Sequence, residues 1–293
     1  MDVLSQEITD RFAMYHGDCI DVIAGLPSGS IDYSVFSPPF SSLYTYSNSP
    51  RDMGNCRDDA EFFEHFDYLI AQLRRVIKPG HLVSFHCMDL PSSKEKHGYI
   101  GLRDFPGDLI RAFEKHGWIY HSKVTIRKDP VTAMQRTKAL GLLHKTVRNN
   151  ATMSRMGIPD YLITMRDPRD VVDRVTHGDD YPVSLWQRVA EPIWMDIDPS
   201  DTLQYRSARE HGDERHIAPL QLEVIRRSVR LWTNPNDVVL SPFAGIGSEG
   251  YVAIQEGRRF VGVELKDSYY RQAVANLAAA SVSNQARFED LLT

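Results

Sequence analysis

Cysteine is scarce in this 293-residue chain, and long apolar runs are absent. The three cysteines, Cys19, Cys56 and Cys87, are odd in number and lack the spacing of metal ligands. This argues against a disulfide framework and against a cysteine zinc site. No window is apolar for long enough to cross a bilayer, and the first residues lack the basic-then-apolar pattern of a signal peptide. We therefore expect reduced thiols, no metal, no membrane and a cytoplasmic protein.

Internal repeats and low-complexity tracts are also lacking, and the composition is ordinary for a globular protein. At this length we expect one large domain or a domain with a sizeable insertion. The formal net charge of −5 argues mildly against nucleic-acid binding, but net charge is a poor test when binding uses one face.

Basic residues are concentrated in one segment, residues 121–175. It holds eleven Lys and Arg residues against five Asp residues, a net excess of six positive charges in an acidic chain. Such a segment is typical of a surface that contacts phosphates, and a solvated face with scattered Lys and Arg is the alternative. The candidates for phosphate contact are Arg136, Lys138, Lys145 and Arg148.

Ser37-Pro38-Pro39-Phe40 follows an apolar run, residues 31–36, that predicts a buried strand ending in a tight turn. Proline has no backbone N–H, so two in succession leave carbonyl acceptors without competing amide donors. The Ser37 hydroxyl is a further acceptor, and Phe40 adds a flat apolar face. Together they suit the exocyclic amine of a planar base, and a strand end without chemistry is the alternative.

A second motif lies within residues 237–264. A β-rich run ends in Phe-Ala-Gly-Ile-Gly at residues 243–247, and a helix is predicted to begin shortly afterwards. Glycines after a strand let the backbone pass close to a ligand. Another apolar strand follows and places Glu264 at its end, where a carboxylate can accept hydrogen bonds from ribose hydroxyls. The combination predicts a site for an adenosine-type cofactor.

With these two motifs the chain resembles the DNA amino-methyltransferases, which methylate adenine N6 or cytosine N4 with S-adenosylmethionine. Residues 37–40 resemble the family's catalytic loop, in which a polar residue precedes Pro-Pro and an aromatic residue. Residues 243–247 resemble its FxGxG cofactor loop, and the late position of this loop is typical of the beta class. Further similar stretches are residues 16–19, 75–83 and 216–222. Residues 37–55 are most similar to solitary phage-type members.

The resemblance implies a role for each matching residue. Ser37, Pro38, Pro39 and Phe40 would form the catalytic loop. Asp18 would contact the cofactor adenine. The other residues expected around the cofactor are Phe243, Gly245, Gly247, Ser248, Glu264, His216 and Pro219.

Three positions depart from the family pattern. Ser241 and Ser248 replace the more usual Asp and Thr of the cofactor loop. Ser37 replaces the Asp of typical adenine enzymes, which leaves the target base open.

The resemblance also implies an α/β fold, a doubly wound Rossmann-like methyltransferase sheet with an inserted target-recognition region. Residues 1–166 would hold the first part of the catalytic core, with a basic DNA-contact segment at about 121–166. Residues 167–215, irregular in pattern and containing Trp and Pro, would recognise the target, and residues 216–293 would complete the core around the cofactor. A helix is predicted over residues 59–77 from apolar positions at helical spacing.

The expected reaction depends on alignment. Hydrogen bonds from the amine to Ser37 Oγ and the Pro38 carbonyl would turn the nitrogen lone pair towards the methyl group. The base would be flipped out of the duplex and stack on Phe40. No Cys follows the Pro-Pro pair, which argues against cytosine C5 methylation. Adenine N6 is slightly favoured over cytosine N4.

The expected partners are double-stranded DNA and a second copy of the chain in a homodimer. Remote alternatives are a nucleotide-dependent oxidoreductase and a non-catalytic DNA-binding protein. Stabilisation by S-adenosylmethionine but not by NAD would separate the methyltransferase from the oxidoreductase. Both a restriction-modification role and an orphan role are compatible with the residues.

Overall fold

The computed structural model describes residues 3–40, 51–131, 144–204, 208 and 219–290, with only the backbone described at Lys96 and over residues 284–290. Its centre is a nine-stranded sheet. From one edge to the other, the strands are β1 (Ser5–Ile8), β2 (Phe12–His16), β11 (Arg259–Glu264), β10 (Val238–Ser241), β3 (Ile31–Phe36), β4 (Ile77–Met88), β8 (Asp160–Arg166), β7 (Ile119–Ile126) and β9 (Ile193–Trp194). Two short strands, β5 (Leu90–Ser92) and β6 (Gly101–Arg103), pair with each other.

Helices cover both faces of the sheet. The described helices are α1 (Cys19–Ala24), α2 (Asp59–Val76), α3 (Lys94–His97), α4 (Phe105–Lys115), α5 (His144–Asn149), α6 (Val183–Ala190), α7 (Leu222–Trp232), α8 (Ser248–Gln255) and α9 (Asp267–Asp290). One hydrophobic cluster contains α1, α2 and α4, and a second contains α7, α8 and α9. The predicted doubly wound α/β fold is therefore confirmed. None of the described helices is long and apolar enough to span a bilayer.

The middle of the sheet is parallel. Strands β2, β11, β10, β3 and β4 all run in the same direction. Helix α2 leads from β3 outwards to β4, whereas α8 leads from β10 outwards to β11 on the other side. The connections therefore diverge between β3 and β10, and ligands of such sheets bind at the carboxyl ends of the strands at this point.

Helix α2 illustrates how local sequence fixes the packing. The Asp58 carboxylate accepts a hydrogen bond from the Glu61 N–H at 3.0 Å and caps the helix. The predicted helix at residues 59–77 is confirmed to within one residue at its end. Burial contributes roughly 1.5–3 kcal/mol for each large apolar side chain. The fully buried apolar residues of this helix are Phe62, Phe66, Leu69, Ile70, Leu73 and Val76.

The other half of the sheet is mainly antiparallel. Strand β8 pairs antiparallel with β4 and β7, and β9 adds a parallel edge beside β7. Strand β9 and helix α6 lie within residues 167–215, so this region is more regular than its sequence pattern indicated. Trp194 of β9 is buried, with the Arg227 guanidinium 5.0 Å from its ring centre. Tertiary packing, which a period count does not detect, orders this part.

The first residues of the 167–215 region lie at the amino edge of the sheet. The Asp167 carboxylate accepts a hydrogen bond from the Arg169 N–H at 2.8 Å and contacts the Gly80 N–H at 3.3 Å. Lys78 Nζ lies 2.9 Å from the Asp173 carboxylate. Because Lys78 and Gly80 are at the beginning of β4, these contacts are far from the carboxyl ends of the parallel strands.

Candidate functional site

A cavity of about 400 Å³ opens at the carboxyl edge of the parallel strands, beside the β3–β10 pair. Its walls come from the loops after β2, β3, β10 and β11, from the end of β4, and from side chains after β7. We call the walls after β2, β10 and β11 the glycine half. The walls after β3, with those from β4 and β8, are the proline half.

Gly245 and Gly247 give the glycine half its backbone shape. Both have positive φ, +53° and +87°, which other residues adopt only with strain. A Cβ at Gly245 would have no neighbouring atom within 4 Å, whereas a Cβ at Gly247 would lie 3.3 Å from the Ala273 Cα of α9. Gly245 thus leaves room for a ligand, while Gly247 allows close packing of α9 and does not line the cavity.

Glu264 ends β11 and faces the glycine turn. Its Oε2 accepts a hydrogen bond from the Gly245 N–H at 2.8 Å, and its Oε1 accepts one from the Lys266 N–H at 2.8 Å. Burial raises the pKa of Glu264 to about 7, against the opposing effect of these hydrogen bonds. Each carboxylate oxygen has a second lone pair, so Glu264 can also accept from hydroxyl groups of a ligand.

A second carboxyl group, that of Glu249 in the first turn of α8, also lines the glycine half. Burial raises its pKa to about 8, and the nearby Glu264 acts in the same direction. Glu249 is therefore mainly neutral at pH 7 and can donate a hydrogen bond. No sequence pattern indicates this property, because it depends on how deeply the first turn of α8 is buried.

Four further residues predicted around the cofactor line the cavity, namely Asp18, Phe243, Ser248 and Pro219. The Asp18 carboxylate also caps α1, since its Oδ1 accepts hydrogen bonds from two N–H groups of the first turn at 2.9 and 3.2 Å. The predicted contact of Asp18 with adenine stays a prediction. His216 lies outside the described residues.

All four residues of the Ser-Pro-Pro-Phe loop, residues 37–40, line the proline half. Immediately before them, the Phe36 ring packs 5.8 Å from the Phe243 ring and joins the two halves. Phe40 is partly buried and meets Phe105 edge-on, with 6.3 Å between ring centres. One side of the loop is therefore packed against Phe105, and the other side faces the cavity.

Sequence reasoning did not identify three side chains behind Ser37. His86 of β4 lies with its Nδ1 3.2 Å from Ser37 Oγ, and its Nε2 is 3.1 Å from Asp160 Oδ2 of β8. The other oxygen of Asp160 pairs with Lys128 Nζ. Asp160 is only 2% exposed, and burial alone would raise its pKa. The contacts with His86 and with the Lys128 cation outweigh burial and hold the pKa of Asp160 below its usual value.

None of the four predicted DNA contacts is among the described residues that line this cavity, and two of them lie outside the described residues. Arg136 and Lys138 are in the latter group. Lys145 and Arg148 are exposed on α5, in a segment that leaves the cavity rim at Asp129 and returns to its wall at Ile158. Exposed cations can contact phosphates, and the role of these two residues stays a prediction.

Comparison with known proteins places this geometry in context. The model of the family described as DNA methylase matches residues 31–275. The type II methyltransferase M.BglII of Bacillus subtilis is 26% identical over 262 residues, which cover 87% of this chain and 66% of that protein. The DNA adenine methyltransferase YhdJ of Escherichia coli K12 is 23% identical over 268 residues, covering 91% of this chain and 82% of YhdJ. The chain thus spans slightly less than two thirds of M.BglII.

A solved structure shows the same fold. It is a protein from Thermus thermophilus, assigned as a DNA modification methylase and complexed with S-adenosyl-L-methionine. The TM-score is 0.65 at 23% identity, and the superposition covers 93% of this chain and 96% of that one.

Proposed function

Because the chain belongs to the DNA methylase family, we propose that it transfers a methyl group from S-adenosylmethionine to the exocyclic amino nitrogen of a base in double-stranded DNA. The observation that carries this proposal is one shared cavity. The proline loop at residues 37–40 and the carboxylate of Glu264 are distant in sequence but open onto the same space. The cofactor in the Thermus structure and the activity for which YhdJ is named give further support.

The glycine half fits the cofactor in shape and chemistry. S-adenosylmethionine supplies a methyl group that its sulfonium has already activated. Glu264 would accept hydrogen bonds from the ribose hydroxyls, and Asp18 would accept one from the adenine amine. The open direction above Gly245 leaves space for the ligand beside the backbone. The remaining predicted contacts are Phe243, Ser248, His216 and Pro219, while Gly247 supports the turn from behind.

The proline half orients the target amine. Ser37 Oγ and the Pro38 carbonyl are acceptors for the two amine protons, and the part of Phe40 that faces the cavity can stack on the ring. These hydrogen bonds turn the nitrogen lone pair away from the base and towards the donor methyl group. The loop is partly buried and lines the cavity at the carboxyl edge, so the base would reach it by flipping out of the duplex.

We assign adenine N6 as the target, with cytosine N4 as the alternative. The similarity of residues 37–55 to solitary phage-type enzymes and the activity for which YhdJ is named favour adenine. Ser37 in place of Asp is the residue that favours cytosine. A hydroxyl and a carboxylate both accept an amine proton, so the chemistry of Ser37 permits either base.

Product analysis tests the reaction and the base together. The protein is incubated with methyl-labelled S-adenosylmethionine and unmethylated bacterial DNA, and the DNA is digested to nucleosides. We expect labelled N6-methyl-2′-deoxyadenosine, and far less of it in the same time with Ser37→Ala prepared in parallel. Labelled N4-methylcytosine would overturn the choice of base. If no label is transferred to any of the DNA supplied, the proposed function is wrong.

Target recognition and assembly follow from the same proposal. Residues 167–215 would contact base edges, and α6 offers Trp186, which is 54% exposed, as one candidate. A twofold dimer would enlarge the surface available to a duplex that must also be opened. Light scattering of the protein, free and with DNA, checks this; a monomer in both states would contradict the dimer.

A further inference from the structure

Ser37 is the first member of a buried chain of polar contacts. Its Oγ meets His86 Nδ1 at 3.2 Å, and His86 Nε2 meets Asp160 Oδ2 at 3.1 Å. Lys128 closes the chain on the far oxygen of Asp160. These side chains come from the end of β3, from β4, from β8 and from the segment after β7, and all four line the cavity.

The order of the contacts fixes which nitrogen of His86 carries a proton. A neutral imidazole has one N–H donor and one acceptor nitrogen. The buried Asp160 carboxylate is acceptor-only, so its neighbour Nε2 must be the donor. We take His86 as neutral, with Lys128 as the cation that pairs with the other oxygen of Asp160. Nδ1 is then the acceptor, and the only proton available to it in this contact is that of the Ser37 hydroxyl.

We propose that His86, held by Asp160, is a positioning residue that makes Ser37 a hydrogen-bond acceptor towards the target amine and receives the proton that the amine releases. This inference rests on the proposed function. A serine hydroxyl rotates freely and can donate as readily as it accepts. A Ser37 hydroxyl that donated to the amine would occupy the lone pair that must attack the methyl group. With its proton on His86 Nδ1, Ser37 Oγ presents only lone pairs to the cavity.

The proton balance of the step is complete within these residues. The bond between the sulfonium sulfur and the methyl carbon breaks as the bond between carbon and the amine nitrogen forms. The methylated nitrogen then carries one proton too many. It passes this proton to Ser37 Oγ while the Ser37 hydroxyl proton moves to His86 Nδ1. The imidazolium that results is paired with the Asp160 carboxylate, and the methylated base and the thioether product are both neutral.

A double-mutant cycle tests whether His86 acts through Ser37. His86→Leu removes the acceptor and keeps most of the volume, and His86→Asn keeps an oxygen or nitrogen near the position of Nδ1. We expect His86→Leu to slow single-turnover methyl transfer by roughly 10²-fold, and His86→Asn by much less. Cofactor affinity should be unchanged in both. In the Ser37→Ala background, His86→Leu should cost nothing further, whereas an equal cost in both backgrounds would overturn the proposal.

A readout without catalysis tests the proton arrangement itself. The ring nitrogens of ¹⁵N-histidine-labelled protein are observed by NMR without cofactor or DNA, and the His86 signals are those lost in His86→Asn. We expect Nε2 protonated and Nδ1 unprotonated. Protonation at Nδ1 would overturn the proposal even if DNA is methylated. If DNA is not methylated but the Nε2–H form is found, the proposed function fails while the arrangement of protons stands.

Discussion

The two halves of the cavity are built in different ways. The glycine half is made largely from backbone: a turn with positive φ at Gly245 and a carboxylate, Glu264, that accepts from two backbone N–H groups. The proline half is made from side chains of separate strands: Ser37 contacts His86, and His86 contacts Asp160. The glycine turn and Glu264 are only 19 residues apart in the sequence, whereas Ser37, His86 and Asp160 come together only after the sheet has formed.

The difference predicts that substitutions separate binding from chemistry. The largest expected effect belongs to Ser37→Ala in the proline half. We expect methyl transfer to slow by roughly 10²–10³-fold, because the amine loses an oriented acceptor. Cofactor affinity, measured by calorimetry, should stay within about twofold, because no hydrogen bond of the glycine half is touched. A loss of cofactor affinity as large as the loss of methyl-transfer rate would contradict this separation of the two halves.

The next effect belongs to Glu264→Gln in the glycine half. An amide has one acceptor oxygen instead of two, so it cannot accept from the Gly245 and Lys266 N–H groups on separate oxygens and also hold the ribose. We expect cofactor affinity to fall roughly 10- to 100-fold, the equivalent of about 1.5–3 kcal/mol for hydrogen bonds to a charged group. Turnover at saturating cofactor should be largely retained. The exposed Glu191→Gln serves as the control, and a loss confined to turnover would contradict the assignment.

A smaller effect is expected outside both halves, on α5. Lys145→Glu with Arg148→Glu should weaken binding to any duplex and reduce the slope of log affinity against log salt by up to about 2, since each phosphate contact contributes about 0.9. The matched control reverses Arg11 and Arg259, which lie at the amino edge of the sheet. Equal slopes for the α5 variant and the wild type would remove these residues from the DNA surface.

The smallest expected effect concerns the ionisation of Glu249 in the glycine half and its contribution to stability. The folded-state pKa of Glu249 is raised to about 8, so the folded protein binds an extra proton between about pH 5 and 8 and loses stability as pH rises through this window. Glu249→Gln removes this loss. We expect the difference in melting temperature, variant minus wild type, to increase by roughly 2–5 °C when the pH is raised from 5 to 8. Parallel melting curves across this range would contradict the buried ionisation.

The comparison also explains what the sequence could predict. The family, the doubly wound sheet, strand β3 and helix α2 are confirmed because each depends on a contiguous pattern. His86 and Asp160 were missed because each sits inside or beside an apolar strand and gains its role from a partner on another strand. Lys128 was counted as part of a phosphate-binding segment, yet it pairs with Asp160 in the cavity wall. Charge counts record residue types, whereas the pairing of Lys128 with Asp160 depends on the register of β7 against β8, in which Ile126 lies opposite Asp160.

Strand order has a consequence for how the molecule comes to be folded. Strands β10 and β11 follow all the other strands in the chain but lie between β2 and β3, which are among the first. Until they emerge from the ribosome, β2 and β3 each present an unpaired parallel edge, which is a template for wrong association. Residues of β3 and β10 are far apart in the sequence, and contacts between such distant residues form slowly during folding. The sheet is completed at its centre rather than at its edge. The last strands to be synthesised, β10 and β11, pair with β3 and β2 and so join the two earlier parts of the sheet.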